Sequence, residues 1–298
     1  MNVATAVLSA LGAAVAFACA ALLQQESAEL VEPEKAMSFR LLLDLLRRAK
    51  WIAGFALMLA GFGLQAFALA NGPVALVQPI VTMELALAIP LGIARRSKRA
   101  GWREWFGILT ICSGVSLFLL ISSPAAGTPD PSAPQWLAAL VPVGVVAAAV
   151  AVLGASSRGP QRAMALGAAA GIAFGILSAL TKATTYIIST GVGHIFTSWQ
   201  PYVAIGVGIV SLVVSQSAYQ AGPLAYSMPF VGVLEPMVAV VIGETILNEQ
   251  IQLSAPLLAA ELLAASIAVV GIVLLTTSST VLSVFEQTAT PTHRPSAA

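Results

Sequence analysis

The chain has 298 residues, of which 58% are hydrophobic and only 9% are charged, and its mean hydropathy is +0.91. An average soluble domain is about 25% charged, so this composition excludes an ordinary soluble protein and indicates an integral membrane protein. The formal net charge is +1 and no long basic or acidic block occurs. The expected partner is therefore the lipid bilayer, and nothing points to nucleic acid.

Apolar runs long enough to cross a membrane follow one another along most of the chain. A spanning helix needs roughly 20 mostly apolar residues. The first run is interpreted as a retained span, because no basic segment precedes it and no small-residue cleavage pattern follows it. The sequence predicts an all-α polytopic membrane protein with nine transmembrane helices. They cover residues 3–23, 51–70, 73–94, 104–122, 135–154, 163–188, 200–219, 223–246 and 255–276.

The distribution of Lys and Arg predicts the orientation of these spans, because short cytoplasmic loops are enriched in basic residues. With the N-terminus outside, all but one of the 14 Lys and Arg residues fall in cytoplasmic segments. The exception, Lys182, lies within a span. We therefore expect a multi-pass cell-membrane protein with its N-terminus outside and its C-terminus in the cytoplasm. The alanine-rich composition favours a bacterial inner membrane.

The two segments outside the spans and the two cysteines within them have simple interpretations. Leucines and basic residues at helical spacing in 38–50 predict an amphipathic helix that lies flat at the inner membrane surface. The tail, 277–298, is rich in Ser, Thr and Pro and is predicted to be disordered. Cys19 and Cys112 lie in apolar runs, where a small hydrophobe is a better interpretation than a disulfide or a metal ligand.

Two segments of the chain resemble each other closely. The stretch NGPVALVQP at 71–79 matches AGPLAYSMP at 221–229 in its Gly-Pro pair, in an alanine and in a second proline. One residue of shift further along, Glu84 falls beside Glu235. The alternative is that Gly-Pro and alanine runs match through composition alone.

A second match lies upstream, where AFACAALLQQ at 16–25 resembles AFGILSALTK at 173–182 and places Gln25 opposite Lys182. Spans 1 to 4 are therefore predicted to repeat as spans 6 to 9. Because a single span separates the copies, the second copy is inverted, as in many secondary transporters. The predicted organisation is a first repeat (1–122), a linking span (135–154), a second repeat (163–276) and the tail.

The paired motifs resemble a known family. The [NA]-G-P-[VL]-A-x-x-x-P stretches, the acidic residue after each and the exit IGETILNEQIQL are similar to the drug/metabolite transporter (DMT) superfamily. The nine-span layout is similar to its EamA-like branch that contains the NIPA-type magnesium transporters. The resemblance implies a transporter fold over almost the whole chain. It does not imply one substrate, because members carry metabolites, lipid-linked sugars, drugs or cations.

Four ionisable residues lie within the predicted spans, and such residues usually face a cavity or a partner. Glu84 and Glu235 are close to mid-span in equivalent helices, so they are the strongest candidates for binding a proton, a solute or a cation. Lys182 and Glu261 share a depth nearer the outer ends. An ion pair of Lys182 with Glu235 or with Glu261 is the structural alternative for these groups.

Prolines surround both mid-span carboxylates, with Pro79 and Pro90 beside Glu84 and with Pro229 and Pro236 beside Glu235. A proline removes a backbone donor and kinks a helix, which would open space near the carboxylates. The alternative is that proline is simply more tolerated in membrane helices.

Uncharged polar side chains could line the same cavity or form interhelical hydrogen bonds, which is the more common role. Glycines on faces rich in small residues predict close helix packing. The polar candidates are Gln25, Gln65, Gln78, Gln216, Tyr219 and Tyr226, and the glycines include Gly54, Gly61, Gly63, Gly167, Gly171 and Gly175.

The sequence contains no catalytic Ser/His/Asp set, no Walker loop and no paired Cys/His metal spacing, so neither an enzyme nor a cofactor is expected. The leading hypothesis is a secondary transporter that moves a small solute by alternating access and is coupled to protons. The alternatives are a transporter of magnesium or another divalent cation, with Glu84 and Glu235 as ligands, and a non-transporting scaffold or lipid-handling partner. The oligomeric state stays open, a homodimer included.

Overall fold

The computed structural model describes residues 3–71, 77, 80–122, 132–246 and 255–289. In this part of the chain the regular elements are helices, with two short 3₁₀ turns and no strand. The helices are α1 (Val3–Ala28), α2 (Phe39–Leu45), α3 (Ala49–Asn71), α4 (Glu84–Ala94), α5 (Trp102–Ser122), α6 (Ala133–Ser156), α7 (Gly159–Thr190), α8 (Gln200–Ala221), α9 (Leu224–Ile246), α10 (Ala255–Thr276) and α11 (Ser279–Ala289).

Eight of the described helices are long and apolar enough to cross a membrane. The all-α, multi-pass character predicted from the sequence is therefore confirmed, and these helices begin and end within a few residues of the predicted bounds. The predicted span 73–94 lies partly outside the described residues. Its described part is a shorter apolar helix from Ile80 to Ala94.

Small residues allow the main helix pairs to approach closely. Helix α1 packs against α3, α5 against α10, and α7 against both α8 and α9. A Cβ atom built on Gly271 of α10 would lie 2.7 Å from the carbonyl oxygen of Gly107 of α5, and one on Gly61 of α3 would lie 2.7 Å from the ring of Phe17. Without a hydrophobic force between helices in lipid, this close packing supplies much of the attraction that holds them together.

Charged residues from several elements gather at one end of the helix bundle, which we call the basic end. Glu26 at the end of α1 forms ion pairs with Arg95 at 2.6 Å and with Lys50 at 3.4 Å. Glu29 pairs with Arg96. Burial raises the pKa of Glu29, and the Arg96 guanidinium partly offsets this shift. Glu26 and Glu29, at and just after the end of α1, thereby link the start of α3 to the residues that follow α4.

Helix α2 is shorter than the predicted amphipathic segment 38–50 and lies differently. Leu41 and Leu45 are fully buried, and α2 packs against α8. Just before it, the backbone N–H of Met37 donates to the Ser217 hydroxyl at 2.9 Å. The apolar face therefore packs into the main core of the protein, where the sequence predicts contact with lipid.

The predicted disordered tail, 277–298, begins with a helix, so the prediction is wrong for α11. Val281 and Val284 are buried in the main core. Ahead of α11, the Ser278 hydroxyl donates to Glu104, and Glu104 also accepts the Gly101 N–H at 2.6 Å. Apolar burial thus outweighs the polar composition in 279–289, and the chain beyond lies outside the described residues.

A buried polar network joins α1, α3 and α8 near the basic end. The Trp51 indole N–H donates to Gln216 Oε1 at 2.9 Å, and Gln216 Nε2 donates to Gln24 Oε1 at 2.7 Å. Gln216 is fully buried. Of the two roles predicted for Gln216, the structure therefore shows the interhelical hydrogen bond and not the lining of a cavity.

Replacing Gln216 with leucine is expected to lower the free energy of unfolding by about 1 to 3 kcal/mol, because Trp51 and Gln24 lose buried partners. The measurement is thermal unfolding of the detergent-purified protein. Gln161→Leu, at an exposed position near the start of α7, is the matched control. An unchanged unfolding temperature for Gln216→Leu would contradict a stabilising network.

Candidate functional site

The two mid-span carboxylates come close together in the structure. Glu84 opens α4 and Glu235 lies in the middle of α9, and these two helices pack against each other. A Cβ on Gly232 would lie 3.2 Å from the Leu85 side chain, so the helices touch beside both carboxylates. Glu84 and Glu235 are close enough to interact electrostatically. The sequence prediction that they share one site is therefore supported by their proximity.

A stripe of glycines on α7 brings a third helix against Glu235. Cβ atoms on Gly167, Gly171 and Gly175 would lie 2.6 to 2.9 Å from atoms of α9. The last of them would be 2.8 Å from the Glu235 carbonyl oxygen. Ser178, three residues further along α7, donates a long hydrogen bond of 3.4 Å to Glu235 Oε1. The predicted role of this glycine run in close packing is confirmed.

Two more helices add side chains near the carboxylates. Tyr219 of α8 lies within electrostatic range of both Glu84 and Glu235. Cys112 of α5 lies near Glu84, and its thiol donates to the Thr82 carbonyl at 3.7 Å. We call Glu84, Glu235, Ser178 and Tyr219 the acidic site, which draws on α4, α7, α8 and α9.

The residues of the acidic site are only partly buried. Glu84, Glu235 and Ser178 are all half-buried, and so are the consecutive residues 234–239 of α9. Consecutive residues of a helix point around its whole circumference, and α9 has α4, α5, α7 and α10 as neighbours. Side chains on all sides of the turn that carries Glu235 are therefore partly exposed.

The two carboxylates have no basic partner among the residues that the structure describes, where the ion pairs within 4.0 Å involve neither of them. Of the two alternative ion pairs of Lys182, the one with Glu235 is therefore absent. Lys182 is exposed on α7, one turn beyond Ser178. Glu261 is half-buried on α10, a helix that packs mainly against α5.

The uncharged candidates lie in different places. Gln25 is buried and donates to the Gly222 carbonyl at 3.0 Å, in a small cavity near the basic end that Arg96 also lines. Tyr226 is 1% exposed and precedes Glu235 by about 13 Å along α9 at 1.5 Å per residue. A role for these two residues in solute binding stays a prediction. Gln65 is half-buried on α3, and Gln78 lies outside the described residues.

Sequence reasoning missed Ser178 and gave Tyr219 only as one polar side chain among several. Serine is so common in membrane helices that its identity carries no signal. Its position could have identified it, because Ser178 follows the glycine run of α7 and lies four residues before Lys182. The two prolines of α9 are confirmed inside the helix. Pro236 has no N–H to donate to the Gly232 carbonyl, one turn earlier and beside Leu85.

The acidic site does not resemble a metal centre. In residues 3–71, 77, 80–122, 132–246 and 255–289 no group of three or more His, Cys, Asp or Glu side chains could hold a metal ion. Zinc is usually coordinated by four ligands in a tetrahedron, and magnesium by six oxygen ligands in an octahedron. Two carboxylates with one phenol and one hydroxyl are fewer strong ligands than either ion usually takes.

Comparisons with known proteins give one clear similarity. A protein of Corynebacterium glutamicum, described as uncharacterized, is 26% identical to this chain over 248 residues, which cover 83% of this chain and 86% of that protein. No family model matches the chain, and no solved structure matches it. The chain is thus similar over most of its length to a bacterial protein of nearly the same size, and this similarity assigns no activity to either.

Proposed function

We propose that the chain is a secondary transporter of the drug/metabolite type, which moves a small solute across a bacterial cell membrane by alternating access and couples this movement to protons. The observation that carries the proposal is the pair Glu84 and Glu235, which meet inside an apolar helix bundle without a basic partner among the described residues. Carboxylates are costly in a membrane and typically mark solute or proton pathways.

The helix packing favours the inverted repeat that this mechanism needs. Helix α1 packs against α3 and α4, and α7 packs in the same way against α8 and α9. These are the pairs that the repeat treats as equivalent, and the acidic site takes one carboxylate from each half. Inverted halves that exchange conformations around a shared midplane site give two states of opposite access.

The clustering of basic residues supports the proposed orientation. Arg95, Arg96 and Lys50 meet the end of α1 at the basic end, and cytoplasmic loops are the ones enriched in such residues. In the proposed nine-span arrangement the basic end and the C-terminus face the cytoplasm and the N-terminus lies outside. The same ion pairs would also hold the cytoplasmic side closed until the helices that bear them separate.

A divalent-cation transporter is the second candidate, because two facing carboxylates are oxygen ligands of the kind that magnesium prefers. The small number of strong ligands in the acidic site ranks it below a proton-coupled carrier. A scaffold role ranks lower still, since a scaffold has no need for carboxylates within its helix bundle.

The test is solute-driven proton movement in proteoliposomes that enclose a pH-sensitive dye. A panel of amines, amino acids, sugars and carboxylic acids, with magnesium chloride included, is added outside. We expect a pH change for at least one solute with the native chain and none with the Glu84→Gln, Glu235→Gln double variant. Glu34→Gln, at an exposed position of the 3₁₀ turn Pro33–Lys35, removes one carboxylate elsewhere and should behave as native.

Two outcomes would contradict the proposal. A pH change of equal size in the native chain and the double variant would remove the acidic site from the mechanism. Flux of magnesium without any proton movement would favour the divalent-cation transporter instead.

A further inference from the structure

Helix α2 has a second apolar face, opposite the one that packs into the core. Leu41 and Leu45 are fully buried, whereas Phe39, Leu43 and Leu46 are 46% to 59% exposed. The three exposed residues are spaced by four and three positions, so they form one stripe along the helical path. An exposed stripe of large apolar side chains indicates contact with a membrane or another molecule.

The segment that carries this stripe lies at the level of one membrane surface. Helices α1 and α3 are both long and apolar enough to cross a membrane, and α2 lies in the chain that joins the end of α1 to the start of α3. Two successive spans leave the segment between them at one surface of the bilayer. The stripe is therefore placed at the boundary between lipid headgroups and acyl chains, where helices that lie flat in the interface bury their apolar faces.

Two exposed arginines lie beside the stripe. Arg40 and Arg47 are seven positions apart, which puts them on the same side of the helical path, next to Leu43. Asp44 is within electrostatic range of Arg47 but forms its ion pair with Lys35, at 2.7 Å. In the part of the chain that the structure describes, no carboxylate lies within 4.0 Å of Arg40 or Arg47. Both charges are thus available to a ligand.

The outer side of α2 therefore combines apolar contact with positive charge. We call Phe39, Arg40, Leu43, Leu46 and Arg47 the α2 surface. We propose that the α2 surface binds the headgroup of an anionic phospholipid from the surrounding membrane, a role that goes beyond the proposed transport and does not depend on it. A guanidinium group donates two parallel hydrogen bonds to a phosphate, and the apolar stripe would contact the first methylenes of the acyl chains.

The charge of the α2 surface favours an anionic headgroup over a zwitterionic one. A zwitterionic lipid has the same phosphate, but it also carries a positive group that Arg40 and Arg47 repel. Clusters of basic residues next to a spanning helix typically bind anionic lipids for this reason.

The test is native mass spectrometry of the full detergent-purified chain, with dioleoylphosphatidylglycerol and dioleoylphosphatidylcholine titrated separately. The two lipids have the same acyl chains and differ in the net charge of the headgroup. We expect saturable binding of phosphatidylglycerol that is at least tenfold tighter than binding of phosphatidylcholine. Inorganic phosphate at the same concentration should not displace the lipid, because it makes no contact with the stripe.

Variants assign the binding to the α2 surface. The double variant Arg40→Gln, Arg47→Gln is expected to weaken phosphatidylglycerol binding about 30-fold, since each basic residue near an anionic lipid contributes about fivefold. Arg99→Gln, Arg158→Gln removes two exposed arginines elsewhere and should bind within about twofold of the native chain. Leu43→Ser removes apolar contact and is expected to weaken binding about 3- to 10-fold. All three variants change exposed side chains and should elute as the native chain does on size-exclusion chromatography.

The proposal is overturned if phosphatidylcholine binds as tightly as phosphatidylglycerol, if the two double variants lose binding equally, or if inorganic phosphate displaces the lipid. A dimer mass that disappears in Leu43→Ser would also overturn it, because the stripe would then bind a second copy of the chain. None of these outcomes bears on the proposed function, whose test is proton movement that depends on Glu84 and Glu235.

Discussion

Each of the single substitutions Glu84→Gln and Glu235→Gln is expected to lower the initial rate of proton-driven solute uptake roughly 30-fold or more. Each substitution removes one of the two groups that are proposed to carry the coupled proton, and a loss of about 2 kcal/mol in the rate-limiting step corresponds to about 30-fold in rate, since every 1.4 kcal/mol is a factor of about ten. Glu84 and Glu235 lie on the two helices that touch at the Leu85–Gly232 contact, and each helix supplies one carboxylate. The measurement is uptake of radiolabelled solute into proteoliposomes under an imposed pH gradient.

Folding has to be separated from transport in this experiment. Glutamine keeps the shape of glutamate, so both variants should elute as the native chain does on size-exclusion chromatography and unfold at the same or a higher temperature. Removal of a carboxylate from an apolar environment does not by itself destabilise the bundle. Native uptake rates in both single variants would show that the acidic site is not part of the transport pathway.

Leucine in place of Gly175 is expected to destabilise the protein by about 3 kcal/mol or more, which is the upper range for overpacking of a close contact. A Cβ at this position would lie 2.6 Å from Val238 Cβ and 2.8 Å from the Glu235 carbonyl oxygen. The obstruction includes backbone, so α7 and α9 must separate to admit the side chain. The measurement is the unfolding temperature and the folded yield in detergent.

Gly63→Leu is the matched control for this substitution. Gly63 is also a glycine within an apolar helix, but a Cβ there meets no atom within 4 Å. We expect a folded yield close to native for Gly63→Leu and a large loss for Gly175→Leu. If both variants fold equally well, the α7–α9 contact is not the close approach that positions Ser178 and Glu235.

The bounds of the spans could be predicted well because their signals are local. Gly222 and Pro223 end α8 and start α9 next to each other in the chain, and the basic residues after Ala94 mark the end of α4. Apolar length and helix-breaking residues need no knowledge of the neighbouring helices. Helix α11 could not be predicted in this way. Its valines become buried only through contact with the ends of α4 and α10, and the local sequence does not show that contact.

The candidate site could be predicted only in part. Glu84 and Glu235 stand out by charge alone, because carboxylates are rare in apolar spans. Gln25 and Tyr226 have the same polar character, yet the first is used in a hydrogen bond to Gly222 and the second lies about 13 Å before Glu235 along α9. Which polar side chains share a site depends on helix rotation and crossing, and the sequence pattern does not contain these quantities.

By itself the sequence determined that the chain is helical, that it is built for a membrane, and that two of its carboxylates are out of place there, because composition, run length and charge are properties of each segment alone. The tertiary structure decided that those carboxylates meet, that Ser178 and Tyr219 join them, and that Lys182 does not pair with Glu235. These depend on which glycine faces let α4, α7 and α9 approach, and close approach is a property of pairs of helices.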